Sequence, residues 1–105
     1  MTISEMTERA VQRIRETVPN PVRIVLFGSA ARDEMGPNSD IDILVVVPKG
    51  THRRKTAQQI YRNTVDIGFA LDIFVVTTDD VAQYRDNPGM AIGTALSEGR
   101  DLYVA

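Results

Sequence analysis

The stretch VRIVLFGSAARDEMGPNSDIDILVVV, residues 22–47, holds two β-rich runs separated by a glycine-serine turn and a polar spacer. Val22 to Phe27 reads as a strand because β-branched and aromatic residues dominate it, and Gly28 stops it. Ser29 to Met35 then reads as a short helix with serine near its N-terminus, followed by a loop of Gly36, Pro37, Asn38 and Ser39. Asp40 to Val47 is the next strand. Its last five residues are all apolar, the pattern of a strand covered on both faces and central to its sheet.

Working outward, Ile3, Met6, Ala10, Ile14 and Val18 recur in steps of three and four, which places them on one face of a helix. Thr2 and Glu5 have the spacing of a capping box, and Pro19 and Pro21 end the helix. After Pro48 and Gly50, Ala57, Ile60, Tyr61 and Val65 suggest a helix from about Arg54 to Val65. Ala70 to Thr77 is a third strand, and Asp79 and Asp80 open a helical turn through about Arg85, interrupted by Asn87-Pro88-Gly89. Met90 to Glu98 reads as a last helix with Gly99 at its C′ position, and Leu102 to Val104 as a short edge strand. The expected class is α/β or α+β: a small mixed sheet flanked by helices, in αβαβαβα order, with the direction of each strand pair left open.

The 105 residues suit a single domain, expected to span 1–105. With 25% charged and 43% hydrophobic residues and no long apolar run, the composition is that of a soluble protein without a membrane span. The N-terminus from Thr2 to Thr17 is polar and periodic rather than a signal peptide, so the expected compartment is the cytoplasm. Cysteine is absent and there is one histidine, which excludes disulfides, thiol nucleophiles and thiolate or multi-histidine metal sites. Any metal is therefore held by oxygen. A net charge of −2 gives no general attraction for nucleic acid, and direct nucleic-acid binding is not expected.

The chemistry concentrates in Gly28-Ser29, Asp40-Ile41-Asp42 and Asp72. Side chains alternate along a strand, so Asp40 and Asp42 share a side, roughly 6 to 7 Å apart. Asp72 enters the third strand within Leu71-Asp72-Ile73-Phe74; if that strand neighbours the second, three carboxylates converge. Such a cluster at the edge of an apolar layer calls for a compensating cation, and Mg²⁺, with its preference for hard oxygen ligands, suits it; Mn²⁺ is an alternative. Two ions about 4 Å apart activate the attacking oxygen and neutralise the leaving group of a phosphoryl-type displacement. Gly28 lets the backbone approach a ligand, and the Ser29 hydroxyl with the following helix N-terminus favours an anion such as a triphosphate. Arg32, one turn on, is placed to add a charge-assisted contact to phosphate.

With these residues the chain resembles the DNA polymerase beta-like nucleotidyltransferase superfamily, whose signature is Gly-Ser, a spacer, Asp-x-Asp on one strand and a third Asp on a later one. More narrowly it resembles the minimal nucleotidyltransferases, the MntA-type antitoxins encoded beside HEPN toxins; the likeness runs from about Val22 to Phe74. The resemblance implies that Asp40 and Asp42 bind both metals, that Asp72 completes the catalytic metal site and helps deprotonate the acceptor, and that Gly28 and Ser29 hold the triphosphate. It implies transfer of AMP from ATP to a tyrosine hydroxyl of a HEPN ribonuclease toxin, which is thereby silenced. Relatives often carry glycine after the position of Arg32, where this chain has Asp33. Two other functions stay open: an antitoxin that acts by occlusion alone, and nucleotidyl transfer to a small molecule.

Other features have plainer readings. Gly-Ser after a strand by itself marks a turn, and Asp-x-Asp by itself a solvated strand entry, but an unpaired carboxylate such as Asp72 inside an apolar strand is costly. His52 is read as a solvated loop residue. The run His52 to Lys55 is read as a solvated helix start that also has the charge to face an acidic partner or the nucleotide tail. Tyr61, Tyr84 and Tyr103 are read as core or rim residues, with Tyr84 or Tyr103 as candidate anchors for a protein partner.

Overall fold

The computed structural model describes residues 1–34, 36, 39–87 and 89–105. The expected loop at Pro37 and Asn38, the helix end at Met35 and the break at Pro88 lie outside the described residues.

Helix α1, Ile3–Thr17, begins at a reciprocal cap. The Glu5 N–H donates to the Thr2 hydroxyl at 3.1 Å and the Thr2 N–H donates to the Glu5 carboxylate at 3.2 Å, so two otherwise orphaned donors are satisfied. Four strands form one sheet in the order β3-β2-β1-β4: β1 is Arg23–Phe27, β2 Ile41–Val47, β3 Leu71–Thr77 and β4 Arg100–Val104. β1 runs antiparallel to both β2 and β4, with a register shift against β4 between Ile24 and Val25. β2 and β3 run parallel, joined by the crossover helix α2, Arg53–Arg62. Helices α3, Thr78–Tyr84, and α4, Ala91–Glu98, follow β3.

The alternation of side chains along β2 divides the core into two layers. Ile41, Ile43, Val45 and Val47 pack with Ala10 and Ile14 of α1 and Ile60 of α2. Leu44 and Val46 face the other way, into a layer with Val25, Phe27 and Val76 and with Ile92 and Ala95 of α4. The interior position and double coverage expected for the second strand therefore hold.

The order departs from the expected alternation in three places. The helix expected from Ser29 is a single 3-10 turn, Gly28–Ala30. It closes because the Asp33 N–H bonds back to the Ala30 carbonyl at 3.4 Å and the Glu34 N–H to the Ser29 carbonyl at 2.9 Å, with Asp33 left-handed at φ 55°. This is the Schellman pattern that terminates helices, with aspartate where glycine is usual. The α2 helix ends at Arg62, earlier than periodicity suggested, because Arg13 and Asn63 clamp the following turn onto α1. Arg13 donates to the Asn63 carbonyl at 2.8 Å, and the Asn63 amide donates to the Thr17 hydroxyl at 2.8 Å. Gly99 caps α4, but its backbone is extended at φ −80° rather than left-handed.

Gly99 serves instead to let backbones meet. A methyl group there would overlap the Ala95 carbonyl, crowd Val25 Cγ1 and lie 2.8 Å from the Leu26 carbonyl oxygen. Two of those neighbours are main chain and cannot rotate away. Gly99→Ala is expected to destabilise the fold by about 1–3 kcal/mol. Urea unfolding followed by circular dichroism measures it; a midpoint unchanged from the parent would show that α4 shifts freely on the sheet.

Candidate active site

The sheet register assembles one end of the molecule residue by residue. Phe27, the last residue of β1, pairs with Asp42, and Asp42 pairs with Asp72 across the parallel step. Paired residues point to the same face, so the two carboxylates lie side by side at the strand spacing of about 4.8 Å. That face is the one covered by α3 and α4 further along, where Phe74 and Leu44 occupy the next positions. Phe27 and Phe74 pack with ring centroids 5.5 Å apart and form an apolar floor beside the charges. Asp40 is exposed just ahead of β2, and the following Ile41 N–H is anchored to the Ala70 carbonyl at 2.9 Å.

Gly28 lies directly against this pair. Its φ is +73°, and a side-chain carbon there would overlap the Asp42 carboxylate. Glycine is thus required twice, for the left-handed backbone and for the space the carboxylate fills. Ser29 is half-buried in the turn, and its hydroxyl makes no hydrogen bond among the described residues. The turn, three residues long, is too short to supply the dipole of a full helix, so what it offers an anion is individual N–H and O–H groups.

The electrostatics are those of crowded like charge. Burial pushes the Asp42 carboxyl above its ordinary range, the charges of Asp72 and Asp40 push it further, and Arg32 pulls it back. Arg32 is itself occupied: its guanidinium donates to Glu34 at 3.1 Å and to Glu98, at the end of α4, at 3.5 Å. The bond to Glu34 is the main reason its pKa is raised. A phosphate would have to compete with both carboxylates for that side chain.

Among the described residues, no three carboxylate or imidazole groups stand close enough together to form a finished ion cage. The donor set still has the chemistry a divalent cation requires. Asp42 and Asp72 are adjacent carboxylates, hard-oxygen groups whose like charges repel, and Asp40 shares their end of the sheet. The site is open. Grooves of about 560 Å³ between α1 and β4 and about 670 Å³ between α2 and β3 are lined by other residues.

All six residues singled out from the sequence, Gly28, Ser29, Arg32, Asp40, Asp42 and Asp72, thus fall at one end of the sheet. Sequence reasoning missed the two glutamates that hold Arg32: Glu98 is 66 positions away, while Glu34, only two positions on, carried a signal that was not used. It also missed that His52 caps α2: its ring Nδ1 accepts the Lys55 N–H at 3.1 Å.

Comparison with known proteins places this geometry. Residues 7–102 match the family model described as the nucleotidyltransferase domain. A bifunctional uridylyltransferase/uridylyl-removing enzyme of Burkholderia thailandensis is 29% identical over 95% of this chain, which spans 12% of that enzyme's length. Among solved structures, a toxin-antitoxin complex of MntA and HpeT superposes with a TM-score of 0.69 at 16% identity, covering 94% of this chain and 73% of the other. A Shewanella oneidensis complex of a tri-AMPylated HEPN toxin with its MNT antitoxin superposes at 0.57 and 19% identity, covering 99% and 74%. At these identities the two structures establish a shared fold.

Two substitutions test the turn. Asp33→Gly relieves the left-handed backbone and is expected to stabilise the fold by about 1 kcal/mol. Gly28→Ala is expected to destabilise it by about 1–3 kcal/mol, because the methyl must displace Asp42. Thermal unfolding of both variants gives the comparison, and equal midpoints would mean that the turn is not under the constraint described.

Proposed function

The chain belongs to the nucleotidyltransferase domain family, and from that premise we propose that it transfers AMP from ATP to a hydroxyl of a partner protein. The observation that carries this is the in-register pair Asp42 and Asp72 with Gly28 pressed against it. Carboxylates crowded on an apolar floor, beside a turn that only glycine can make, form a site suited to a cation and a phosphate chain.

Asp40, Asp42 and Asp72 would hold Mg²⁺, which supplies Lewis-acid stabilisation of charge on the entering and leaving oxygens. The chain's own residues do the rest. Gly28 and Ser29 hold the triphosphate by backbone and hydroxyl contacts, and Arg32 exchanges Glu34 and Glu98 for a phosphate oxygen. The acceptor oxygen attacks the α-phosphorus, and its proton passes to Asp72. A new P–O bond forms as the bond to the β-phosphate bridging oxygen breaks, and pyrophosphate leaves. The acceptor is a tyrosine hydroxyl of a HEPN ribonuclease toxin, and the chain acts as its antitoxin in the cytoplasm. Support comes from the fold shared with an antitoxin whose solved toxin partner is AMPylated.

Two observations favour a second reading, inhibition by binding alone: the three aspartates form no finished ion cage, and Arg32 is held by glutamates. The two readings separate in one experiment. The product of the gene neighbouring this chain's own is incubated with it, ATP and Mg²⁺, and its intact mass is measured. The transferase adds one or more AMP units, EDTA abolishes the gain, and Asp42→Asn lowers the rate at least about 100-fold. Inhibition of the toxin without any mass gain, unchanged in Asp42→Asn, would replace transfer by occlusion.

A further inference from the structure

The basic run at the start of α2 takes no part in the site just described. It lies instead along the free edge of the sheet, and the phase of the β2–β3 ladder determines what that edge offers. The Ile41 N–H bonds to the Ala70 carbonyl, so in this parallel register the even-numbered residues of β3 turn their main-chain groups toward β2. The odd-numbered residues, Leu71 at the strand's start and then Ile73, Val75 and Thr77, turn theirs outward.

Two of these outward N–H groups are already covered. Ile73 donates to the Tyr61 hydroxyl at 2.8 Å, and Thr77 donates to the Asp80 carboxylate at 2.9 Å. Tyr61 reaches over the edge from α2 and Asp80 folds back from α3. Between them the Val75 N–H has no partner among the described residues. Capping at both ends shortens the exposed edge, which is how sheets avoid indiscriminate pairing, and it leaves one register open.

The open position is not bare surface. Val75 forms the wall of a groove of about 670 Å³ with Thr51, His52, Arg53, Arg54 and Ala57. Its charged lining is basic in a chain whose net charge is −2. Arg53 is committed to Asp80 at 3.0 Å, whereas Arg54 has no ion pair among the described residues. We propose that the β3 edge at Val75 docks an extended acidic segment of a partner protein, which adds as a short strand between Tyr61 and Asp80 and sets its carboxylates against Arg54 and His52. Main-chain bonds to Val75 supply the anchor, and charge selects the segment. The fit is short: the capped positions Ile73 and Thr77 are about 13 Å apart, so the added segment pairs with the edge through Val75 alone. This docking is independent of nucleotide chemistry.

The probe is a blocked pentapeptide alternating glutamate and valine, titrated into the ¹⁵N-labelled full chain. The Val75 amide is expected to shift and to become protected from exchange. Arg54→Glu weakens binding about five- to tenfold, and raised salt weakens it too. Val75→Pro abolishes it while preserving the fold, because proline is tolerated on an edge strand where the N–H faces outward. Should Val75→Pro not fold, Arg54→Glu and the Val75 amide still decide the matter. Equal binding of a lysine-valine pentapeptide, peptide binding with the Val75 amide unmoved, or concentration-dependent self-association that protects Val75 without peptide would each overturn the proposal.

Discussion

The parallel pairing of β2 with β3, residue for residue from Ile41 opposite Leu71 to Val47 opposite Thr77, determines where the charged groups of this molecule meet. A shift of one residue would turn Asp72 to the opposite face, among the side chains that pack on α1 and α2. The apolar residues on both faces of β2 hold the register, since a slip would also expose Ile73 and bury Asp72 without a partner. The same bonds that build the core therefore place two like charges together at its edge. Opposed charges beside Phe27 and Phe74 are a local cost to stability, and it is the surrounding core that keeps them in place.

Gly28 connects this constraint to the turn. Because the Asp42 carboxylate occupies the space of a side chain at Gly28, the chain leaves β1 with a left-handed residue and closes at once into the short turn that ends at Asp33. The turn brings Arg32 toward the carboxylates, while Glu34 and Glu98 hold its guanidinium. The far edge of the sheet follows from the same register, since the phase of the ladder decides that Ile73, Val75 and Thr77 face outward beside α2.

Much of this was legible in the sequence wherever a local pattern had a single physical meaning. The capping box at Thr2 and Glu5, the apolar face of α1, the doubly covered β2 and the edge strand at the C-terminus all read directly. The clustering of Asp40, Asp42 and Asp72 depended on one further fact, whether β2 and β3 are neighbours, which alternation along a chain does not decide. The expected helix after Ser29 was the main misreading. Its propensity was adequate, but a left-handed residue at Asp33 stopped it, and only the closing bonds reveal that. The left-handed aspartate at position 33 thus marks a backbone requirement of the turn. Gly99 was placed correctly at the end of α4 for the wrong reason, because close approach to Leu26 and Ala95 depends on tertiary packing. Glu98 as a partner of Arg32, and Asn63 and Asp66 as partners of Arg13, lay too far along the chain to be read, whereas Glu34, two residues from Arg32, was near enough and was overlooked.

Whether Asp42 and Asp72 act as a joint cation site beside Gly28 is tested most directly by a crystal structure of the chain with Mn²⁺ and a non-hydrolysable ATP analogue. The expected result is an anomalous-scattering peak bridging Asp42 and Asp72, with the triphosphate lying along Gly28 and Ser29. Manganese bound elsewhere, or a nucleotide held away from the Gly28 turn, would contradict it.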